Sequence, residues 1–491
     1  MAKEKCGVGD LLIGVDLGTG GVRSMAVDVS GEVVASSTVS LEGATVVDEG
    51  GIHEQSPLFW WEATCRGVRE LMGKLASGGI PKDNLKGLAV DGTSGTVVFL
   101  DRIGEPLRPG IMYNDARSGE EADGLNDLAA GFCEKLGYRF AASFALAKID
   151  WVRRNESESF EKTVCCLHQG DFIEGRLCGE FGLSDYSNAL KTGYDLVEEE
   201  WPDWIGNLPG VRERLPRVVA PGMQIGQVCG VAAEQTWLPE GLPVVAGATD
   251  GTAACVASGV RRPGDYNTTL GTTLVFKGIS EKLGRHPKGL IYSHKLPGGL
   301  WLPGAASNTG GEWIEAEFPG ADLGKMDAAA RERFPSACVA YPLARRGERF
   351  PFLAEEAEGF CIPELWDDIE RYAAYLQGTA LVERMAYEVI DKVAGTSGGE
   401  VYSTGGGSRS DVWMQCRADV TGRTVHRPAV PESAFGSAVL AAAGTVCGDV
   451  WTAVENMVRI ERTFVPDGNR RDGYAELYSR SQEEIERRGW G

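Results

Sequence analysis

The sequence lacks the features that mark several common functional classes. It has no C-x-x-C pair, and its five histidines show no ligand spacing, so no zinc site is predicted. No apolar run approaches the roughly 18 residues of a membrane-spanning helix. The N-terminal segment MAKEKCGVGD has no apolar core of a signal peptide. We therefore expect a cytoplasmic protein without a membrane partner, whose twelve cysteines are reduced thiols.

Positive charge is also scarce. The chain has 49 Lys and Arg against 70 Asp and Glu, which gives a net charge of -21 and a pI near 4.8. This balance argues against nucleic acid as a partner. A length of 491 residues with 43% hydrophobic content predicts two or more domains with ample core. We expect a monomer or a homodimer.

The stretch LLIGVDLGTGGVRSMAVD, residues 11–28, reads as a buried strand, a tight glycine turn and a second strand. Asp16 ends the first strand, Gly18 and Thr19 lie in the turn, and Arg23 follows it. An acid for a metal, amides for a phosphate and a hydroxyl in one turn favour Mg-nucleotide chemistry. A β-hairpin with a capping Asp explains the same pattern. The turn is neither a Walker A loop nor a GxGxxG motif that opens a helix.

A related pattern occurs near the middle of the chain. Leu270-Gly271-Thr272 echoes Leu17-Gly18-Thr19, again between two apolar strands. Just before it, Asp250 sits where a short strand meets a small-residue helix, and such turns collect ligand groups. The echo predicts two domains of similar topology with a boundary near residues 259–264.

Two further glycine-rich turns follow. Trp301 to Trp313 is a small-residue turn that runs into a helix, and Val401 to Val420 reads as strand, triple-glycine turn and helix. A turn of the second kind can seat the phosphates or the base of a nucleotide, although it is also common as a purely structural element.

Four ordered motifs together resemble the FGGY carbohydrate kinases, which are members of the actin-like ATPase superfamily. The motifs are Asp16-x-Gly18-Thr19-x-x-x-Arg23, Gly247-x-x-Asp250, Leu270-Gly271-Thr272 and Gly405-Gly406-Gly407-Ser408. The resemblance implies an α/β fold of two ribonuclease-H-like domains with a cleft between them. It implies a sugar-binding domain at residues 1–259 and a nucleotide-binding domain at residues 260–491.

The resemblance also implies a role for each matched residue in transfer of a phosphoryl group from ATP to a sugar hydroxyl. Asp250 would be the catalytic base and would contact the sugar, and Asp16 would hold Mg²⁺. The candidate sugar contacts are Ser94 and Asp115, although Ser94 could instead stabilise its turn and Asp115 could pair with Arg117. The candidate ATP contacts are Gly18, Thr19, Arg23, Gly271, Thr272, Gly311, Gly406, Gly407 and Ser408.

Finer matches resemble the cyanobacterial and plant D-ribulose kinases, a xylulokinase-like group. They include Asp91-Gly92-Thr93-Ser94 and Tyr113-Asn114-Asp115-Ala116-Arg117. Bacterial xylulokinases carry a Gln-Met-His-Gly run in the region of residues 91–96, and glycerol kinases carry an Arg-Glu pair there, where this chain has Ser94 and Gly95. D-Ribulose is therefore the expected substrate. The alternatives are a xylulokinase or other polyol kinase, an inactive sugar- or nucleotide-binding relative, and an actin- or chaperone-like ATPase.

Overall fold

The computed structural model describes residues 9–490, so most of the N-terminal segment considered above lies outside the described residues. Up to residue 258 the elements are β1 (Leu11–Leu17), β2 (Gly21–Asp28), β3 (Val33–Ser40), β4 (Thr45–Glu49), β5 (Ile52–Gln55), α1 (Pro57–Ser77), β6 (Leu85–Gly92), β7 (Val97–Leu100), β8 (Gly110–Ile111), α2 (Gly119–Leu128), α3 (Ala130–Leu136), α4 (Ala145–Asn155), α5 (Ser157–Lys162), β9 (Cys165–His168), α6 (Gln169–Cys178), β10 (Leu183–Asp185), α7 (Tyr186–Ala189), β11 (Arg217–Val219), β12 (Gln224–Gln227), α8 (Gly230–Thr236), β13 (Pro243–Val245) and α9 (Asp250–Ser258).

The remaining elements are β14 (Tyr266–Leu270), β15 (Leu274–Gly278), β16 (Tyr292–Lys295), β17 (Trp301–Ser307), α10 (Glu312–Glu317), α11 (Leu323–Ala330), β18 (Val339–Tyr341), β19 (Phe360–Ile362), α12 (Asp368–Ala394), β20 (Val401–Thr404), α13 (Asp411–Thr421), β21 (Val425–Pro428), α14 (Ser433–Ala442), α15 (Val450–Met457), β22 (Ile460–Phe464) and α16 (Arg471–Arg487).

The chain divides into two compact units. The first contains the residues up to Gly259 together with His294–Gly299 and Val430–Arg459, and the second contains Val260–Ser293, Leu300–Ala429 and the residues from Ile460 onward. Residues 259 and 260 thus belong to different units. The placement of residues 430–459 differs, because the sequence division assigned them to the second domain.

The first unit is built on a six-stranded sheet with the order β12-β13-β6-β1-β2-β3. β1 pairs with β2 antiparallel and with β6 parallel, so the predicted hairpin forms the middle of the sheet. Both faces of β1 are buried: Ile13 and Val15 pack in the core with α1, and Leu12 packs in the core with α14. A strand covered on both faces reads as a continuous apolar run, which is the pattern of residues 11–15.

Helix α14 lies unusually close to this sheet. A Cβ atom built on Gly14 of β1 would fall 1.8 Å from the backbone oxygen of Ala434 in α14. Only glycine permits that approach. The helix is buried from Ala434 to Ala442, which explains its small-residue sequence SAFGSAVLAA.

The second unit is built on a seven-stranded sheet whose order from β17 onward is β17-β15-β14-β20-β21-β22. Its first hairpin, β14 and β15, is antiparallel, and β14 pairs with β20 in parallel, which repeats the β1, β2 and β6 arrangement of the first unit. The long helix α12 packs in the same core through residues such as Tyr372, Leu376 and Ile390.

Among residues 9–490, no single helix is both long and apolar enough to cross a bilayer. One pair, Ser433–Cys447 with Val450–Met457, reaches that length and hydropathy only when taken together, across a bend of 113°.

Candidate active site

Three carboxyl groups come together at the ends of β1, β6 and the start of α9. Asp16 and Asp91 are register partners on the parallel strands β1 and β6. Asp250 is the first residue of α9, where Thr249 caps the helix and Gly251 N–H donates to Asp250 Oδ1 over 2.6 Å. The charge of Asp250 acts on both other carboxyls, which places all three in one electrostatic site.

Burial makes these carboxyls unequal. Asp91 is fully buried, and desolvation followed by the charge of Asp16 raises its pKa well above the usual range. Burial also raises the pKa of Asp16, while its contact with Asp91 and the charge of Arg23 lower it. The pKa of Asp91 is thus raised further than that of Asp16, because Asp91 is the more deeply buried member of the pair.

The two carboxylate oxygens of Asp91 differ in their hydrogen bonding. Ser437 Oγ, on α14, donates to Asp91 Oδ2 over 2.6 Å, whereas Asp91 Oδ1 is buried with no hydrogen-bond partner. A buried carboxylate oxygen beside a second carboxylate suits a hard divalent cation, and Mg²⁺ commonly takes one or two carboxylates while keeping water. Within the described residues, no group of three or more His, Cys, Asp or Glu forms a metal cage. Asp16 and Asp91 thus fit a partly hydrated Mg²⁺.

The first glycine turn is open to ligand. Gly18 N–H donates to the Gly21 carbonyl over 3.0 Å, which closes the turn, and Thr19 and Gly20 are exposed. Gln55 Nε2 donates to the Thr19 carbonyl over 3.0 Å, and this hydrogen bond stabilises the turn. Arg23 is about half exposed and lies 3.9 Å from Glu432. Gly18, Thr19 and Arg23 are thus predicted ATP contacts that belong to the first unit.

The turn after β6 is held by two lysines, the buried Lys148 and the half-buried Lys191. Lys191 Nζ donates to the Ser94 carbonyl over 2.9 Å, and Lys148 Nζ donates to the Gly95 carbonyl over 2.7 Å. Burial lowers the pKa of Lys191 to about 8, and the charge of Asp250 opposes this shift. The hydroxyl Oγ of Ser94 is buried and has no hydrogen-bond partner. The side chains of Lys191 and Lys148 therefore fix the turn backbone, whereas the Ser94 hydroxyl has no hydrogen-bond partner in the protein.

The carboxylate of Asp115, in contrast, accepts hydrogen bonds from other groups of the protein. Its carboxylate accepts from Arg117 N–H, Nε and Nη2 and from His53 N–H, at 2.7 to 3.0 Å. Burial alone would raise the pKa of Asp115, but the hydrogen bonds from Arg117 and His53 together with the Arg117 charge lower it. Four donors use the acceptor capacity of one carboxylate. The structure thus shows the Arg117 pairing that the sequence left open as an alternative.

Five of the predicted ATP contacts line one cavity of about 760 Å³ in the second unit. These residues are Gly271, Thr272, Gly311, Gly406 and Gly407. The size falls within the range of cofactor sites. Tyr372, Trp413 and Ile314 supply apolar and aromatic wall, and Gly311 N–H donates to the Gly271 carbonyl over 2.8 Å, which joins two of the turns.

The triple-glycine turn leads into α13. Ser410 caps this helix by accepting from Trp413 N–H over 3.0 Å, and its hydroxyl donates to Asp327 over 2.6 Å. Ser408 does not line the cavity. It is buried, and its hydroxyl donates to the Gly405 carbonyl over 2.6 Å, so it stabilises the turn from inside.

Sequence reasoning missed two residues of the site. Asp91 had a detectable signal, because Val90-Asp91 repeats Val15-Asp16 at the end of an apolar run. Lys191 was not a predicted site residue, because it lies in a polar stretch and only the tertiary fold brings it to Ser94.

Two family models match the sequence. The N-terminal domain of the FGGY family of carbohydrate kinases covers residues 11–257, and the C-terminal domain covers residues 267–445. The chain belongs to the FGGY family of carbohydrate kinases. It is therefore a sugar kinase enzyme of two α/β domains, and kinases of this family use ATP.

Similar curated proteins are named for different substrates. A xylulose kinase of Streptomyces rubiginosus is 30% identical, over 91% of this chain and 90% of that protein. An autoinducer-2 kinase of Salmonella typhimurium is 27% identical, over 94% and 91%. The crystal structure of a xylulose kinase from Rhodospirillum rubrum has a TM-score of 0.84 and 28% identity, over 97% of this chain and 98% of that one.

Proposed function

We propose that the enzyme phosphorylates D-ribulose to D-ribulose 5-phosphate with ATP. The observation that supports this substrate is the turn at residues 93–96, which presents the unpartnered Ser94 hydroxyl on a backbone fixed by Lys191 and Lys148. A small polar turn leaves room and a hydrogen-bonding group for a polyhydroxy chain. It has no bulky Met-His pair of the kind that marks the bacterial xylulokinases.

The first unit would bind and activate the acceptor. Asp250 would accept the proton of the attacking hydroxyl, and modest basicity suffices because the proton leaves as the new bond forms. The position of Asp250 at the N-terminus of α9 and its hydrogen bond from Gly251 hold the carboxylate in place. Ser94 would orient the sugar. In this proposal Asp115 acts indirectly, because it fixes the loop that ends at Arg117.

The second unit would bind the nucleotide in the 760 Å³ cavity. Gly271 and Thr272 would present amides and a hydroxyl to the phosphates, as Gly18 and Thr19 would in the first unit. Asp16, with Asp91, would hold Mg²⁺, which neutralises phosphate charge when bound. Phosphoryl transfer has little covalent chemistry for the protein to perform, so alignment and charge carry most of the effect.

A xylulose kinase is the second candidate. Curated relatives that cover nearly the whole chain bear that name. The two candidate functions share Asp250, Asp16 and the nucleotide cavity, and they differ only in the groups that contact the sugar.

A substrate panel decides between these candidates. ADP release is measured with ribulose, xylulose, ribitol, arabitol and glycerol, and the phosphorylated position is assigned by phosphorus NMR. We expect the highest kcat/KM with D-ribulose and phosphate on its terminal hydroxyl. A tenfold or greater preference for xylulose or glycerol would overturn the D-ribulose assignment but leave the sugar kinase activity intact. The Asp250→Asn variant is the background control.

A further inference from the structure

Two cysteines of the second unit lie side by side outside the proposed active site. Strands β18 and β19 are antiparallel, with Ala340 opposite Cys361 and Val339 opposite Ile362. Cys338 immediately precedes β18, so it lies diagonally across from Cys361 on the same face. Their Sγ atoms are 2.8 Å apart.

We propose that Cys338 and Cys361 form a reversible dithiol–disulfide site, which small-molecule disulfides oxidise and dithiols reduce. A disulfide bond is about 2.05 Å long, so the two sulfur atoms need to approach by roughly 0.8 Å. The pairing of β18 with β19 already fixes the backbone next to each cysteine. This inference is independent of the proposed function.

The surroundings of the pair favour exchange chemistry. Cys361 is half-buried and can be reached from solvent, whereas Cys338 is 2% exposed. The Cys361 hydrogen bond stabilises the Cys338 thiolate and lowers the pKa of that thiol despite burial. The same hydrogen bond raises the pKa of Cys361, so Cys338 is the thiolate of the pair and Cys361 keeps its proton. A thiolate is the form that attacks a disulfide.

The exchange proceeds in two balanced steps. Cys338 takes the proton of Cys361 across the 2.8 Å contact as the Cys361 sulfur attacks one sulfur of the oxidant RSSR, a Cys361–SR bond forms, and RS⁻ leaves. Cys338 gives that proton to the released RS⁻, its thiolate attacks Cys361 Sγ, the Cys338–Cys361 bond forms, and the second RS⁻ leaves. The second RS⁻ takes from solvent the proton that Cys338 released when it ionised, so the protein loses two protons and two electrons and the oxidant gains them.

The bond would close a loop that supports the nucleotide cavity. Residues 339–360 include Glu348, whose carboxylate accepts from the hydroxyls of Ser307 and Thr309 and from Asn308 N–H, at 2.7 to 2.9 Å. Residues 307–309 lie just before Gly311 in the chain, and Gly311 lines the cavity. A cross-link restricts the conformations open to the loop it closes. Oxidation should therefore reduce opening of the Glu348 loop.

Peptide mapping of the whole protein tests the cross-link. Protein is incubated with oxidised glutathione, remaining thiols are alkylated, and trypsin digestion is done without reduction. Peptides 334–345 and 350–371 each contain one cysteine. We expect them joined, two hydrogen masses below their sum, and separated again by dithiothreitol. Separate peptides, unmodified or each carrying glutathione, under conditions that modify the half-buried Cys165 would overturn the proposal.

Two variants sharpen the test. Cys361→Ser should abolish the joined peptide, and Cys165→Ser, at another half-buried thiol, should leave it unchanged. If Cys361→Ser fails to fold, the wild-type map still decides. Hydrogen exchange of oxidised wild type should be slowed over residues 345–358 and 307–309. Unchanged exchange there, with the cross-link formed, would overturn the effect on the loop.

Discussion

At the residue scale, the three carboxyls of the site differ because their surroundings differ. Asp91 is fully buried and has a raised pKa, Asp16 lies beside it, and Asp250 is fixed at a helix N-terminus. A helix N-terminus favours the charged form of a carboxylate. This division suits Asp250 to accept a proton and the Asp16–Asp91 pair to hold a cation.

Replacement of Asp250 separates chemistry from binding. Asp250→Asn should lower kcat roughly 10²- to 10⁴-fold, the usual contribution of a positioned base, and leave ADP affinity nearly unchanged. Steady-state kinetics and calorimetry with ADP measure the two effects. A folded variant that retains more than about a tenth of wild-type kcat would remove Asp250 from the catalytic role.

Asp16→Asn should behave differently, because its proposed role is to hold Mg²⁺. The Mg²⁺ concentration for half-maximal rate should rise roughly tenfold or more. A Mg²⁺ titration of the rate in both variants compares them, with thermal melts as the control for folding. Identical Mg²⁺ dependence in the two variants would contradict separate roles.

The raised pKa of Asp91 makes a prediction about stability and pH. A carboxyl whose folded pKa lies above its unfolded value stabilises the fold fully only below the unfolded pKa, about 3.9, and this contribution is lost as pH rises toward the folded pKa. Asp91→Asn mimics the protonated form and can still accept from Ser437. Its Tm should therefore exceed that of wild type at pH 7, and the difference should shrink toward pH 4.

Asp101 provides a control of opposite sign. Backbone N–H groups, first that of Glu105, lower its pKa, so its contribution is present above the unfolded pKa and is lost as pH falls through the folded pKa. Asp101→Asn should lower Tm at pH 7 and match wild type in acid. Differential scanning at several pH values follows both variants. A constant Tm difference between Asp91→Asn and wild type across pH would contradict the raised pKa of Asp91.

Lys191 should affect the sugar and not the nucleotide. Lys191→Met removes a charged hydrogen bond to the Ser94 carbonyl, which is worth about 1.5–3 kcal/mol. The KM for the sugar should rise roughly tenfold or more, with the KM for ATP unchanged. Lys135→Met is the matched control, because Lys135 pairs with Asp195 and Glu198 away from that turn. Equal shifts in both KM values would show a general disturbance instead.

At the element scale, the triple-glycine turn depends on one close contact. A Cβ on Gly407 would fall 2.4 Å from Cγ of the buried Leu270 and 3.1 Å from Trp413, whereas a Cβ on Gly406 meets nothing within 4 Å. Gly407→Ala should therefore lower Tm and weaken ADP binding at least roughly tenfold, since overpacking costs about 1–3 kcal/mol. Gly406→Ala should keep the wild-type Tm. Thermal melts and ADP calorimetry compare the two variants. Equal Tm values for Gly407→Ala and Gly406→Ala would contradict the importance of the Gly407 contact.

Local elements followed from the sequence where one signal dominated. The hairpin at residues 11–28 formed as predicted, because a short apolar run on each side of a glycine turn is a local property. The strand, triple-glycine turn and helix predicted at residues 401–420 also form, as β20 and α13.

The site was less accessible to sequence reasoning, because its chemistry depends on distant pairs. Nothing local in the sequence indicates that Ser437 would donate to Asp91, 346 residues away. Ser408 illustrates the converse: its motif suggested a ligand contact, yet its side chain turns back to the Gly405 carbonyl. Motifs thus identify a turn, and packing decides which of its side chains face a ligand.

At the scale of the whole molecule, the first unit is discontinuous in sequence. Its six sheet strands all precede residue 246, but α14, which follows residue 432, covers one face of β1. Phe435, Val439 and Leu440 of that helix are at most 2% exposed. Burial of such side chains is worth about 1.5–3 kcal/mol each, so together they contribute an amount comparable to the total stability of a domain, about 5–15 kcal/mol.

Residues 9–259 alone should therefore not fold cooperatively, although they contain the whole sheet. A chain in which a flexible Gly/Ser linker joins residues 9–259 to residues 430–459 restores α14 and α15, and it should show a cooperative melt by circular dichroism and dispersed amide signals by NMR. Gly14→Leu in the linked chain is the matched control. Its side chain would occupy the space of the Ala434 backbone, so the melt should be lost again. If residues 9–259 alone melted cooperatively at the temperature of the linked chain, α14 would be dispensable for the sheet, and the division of the chain into these two units would not describe how it folds.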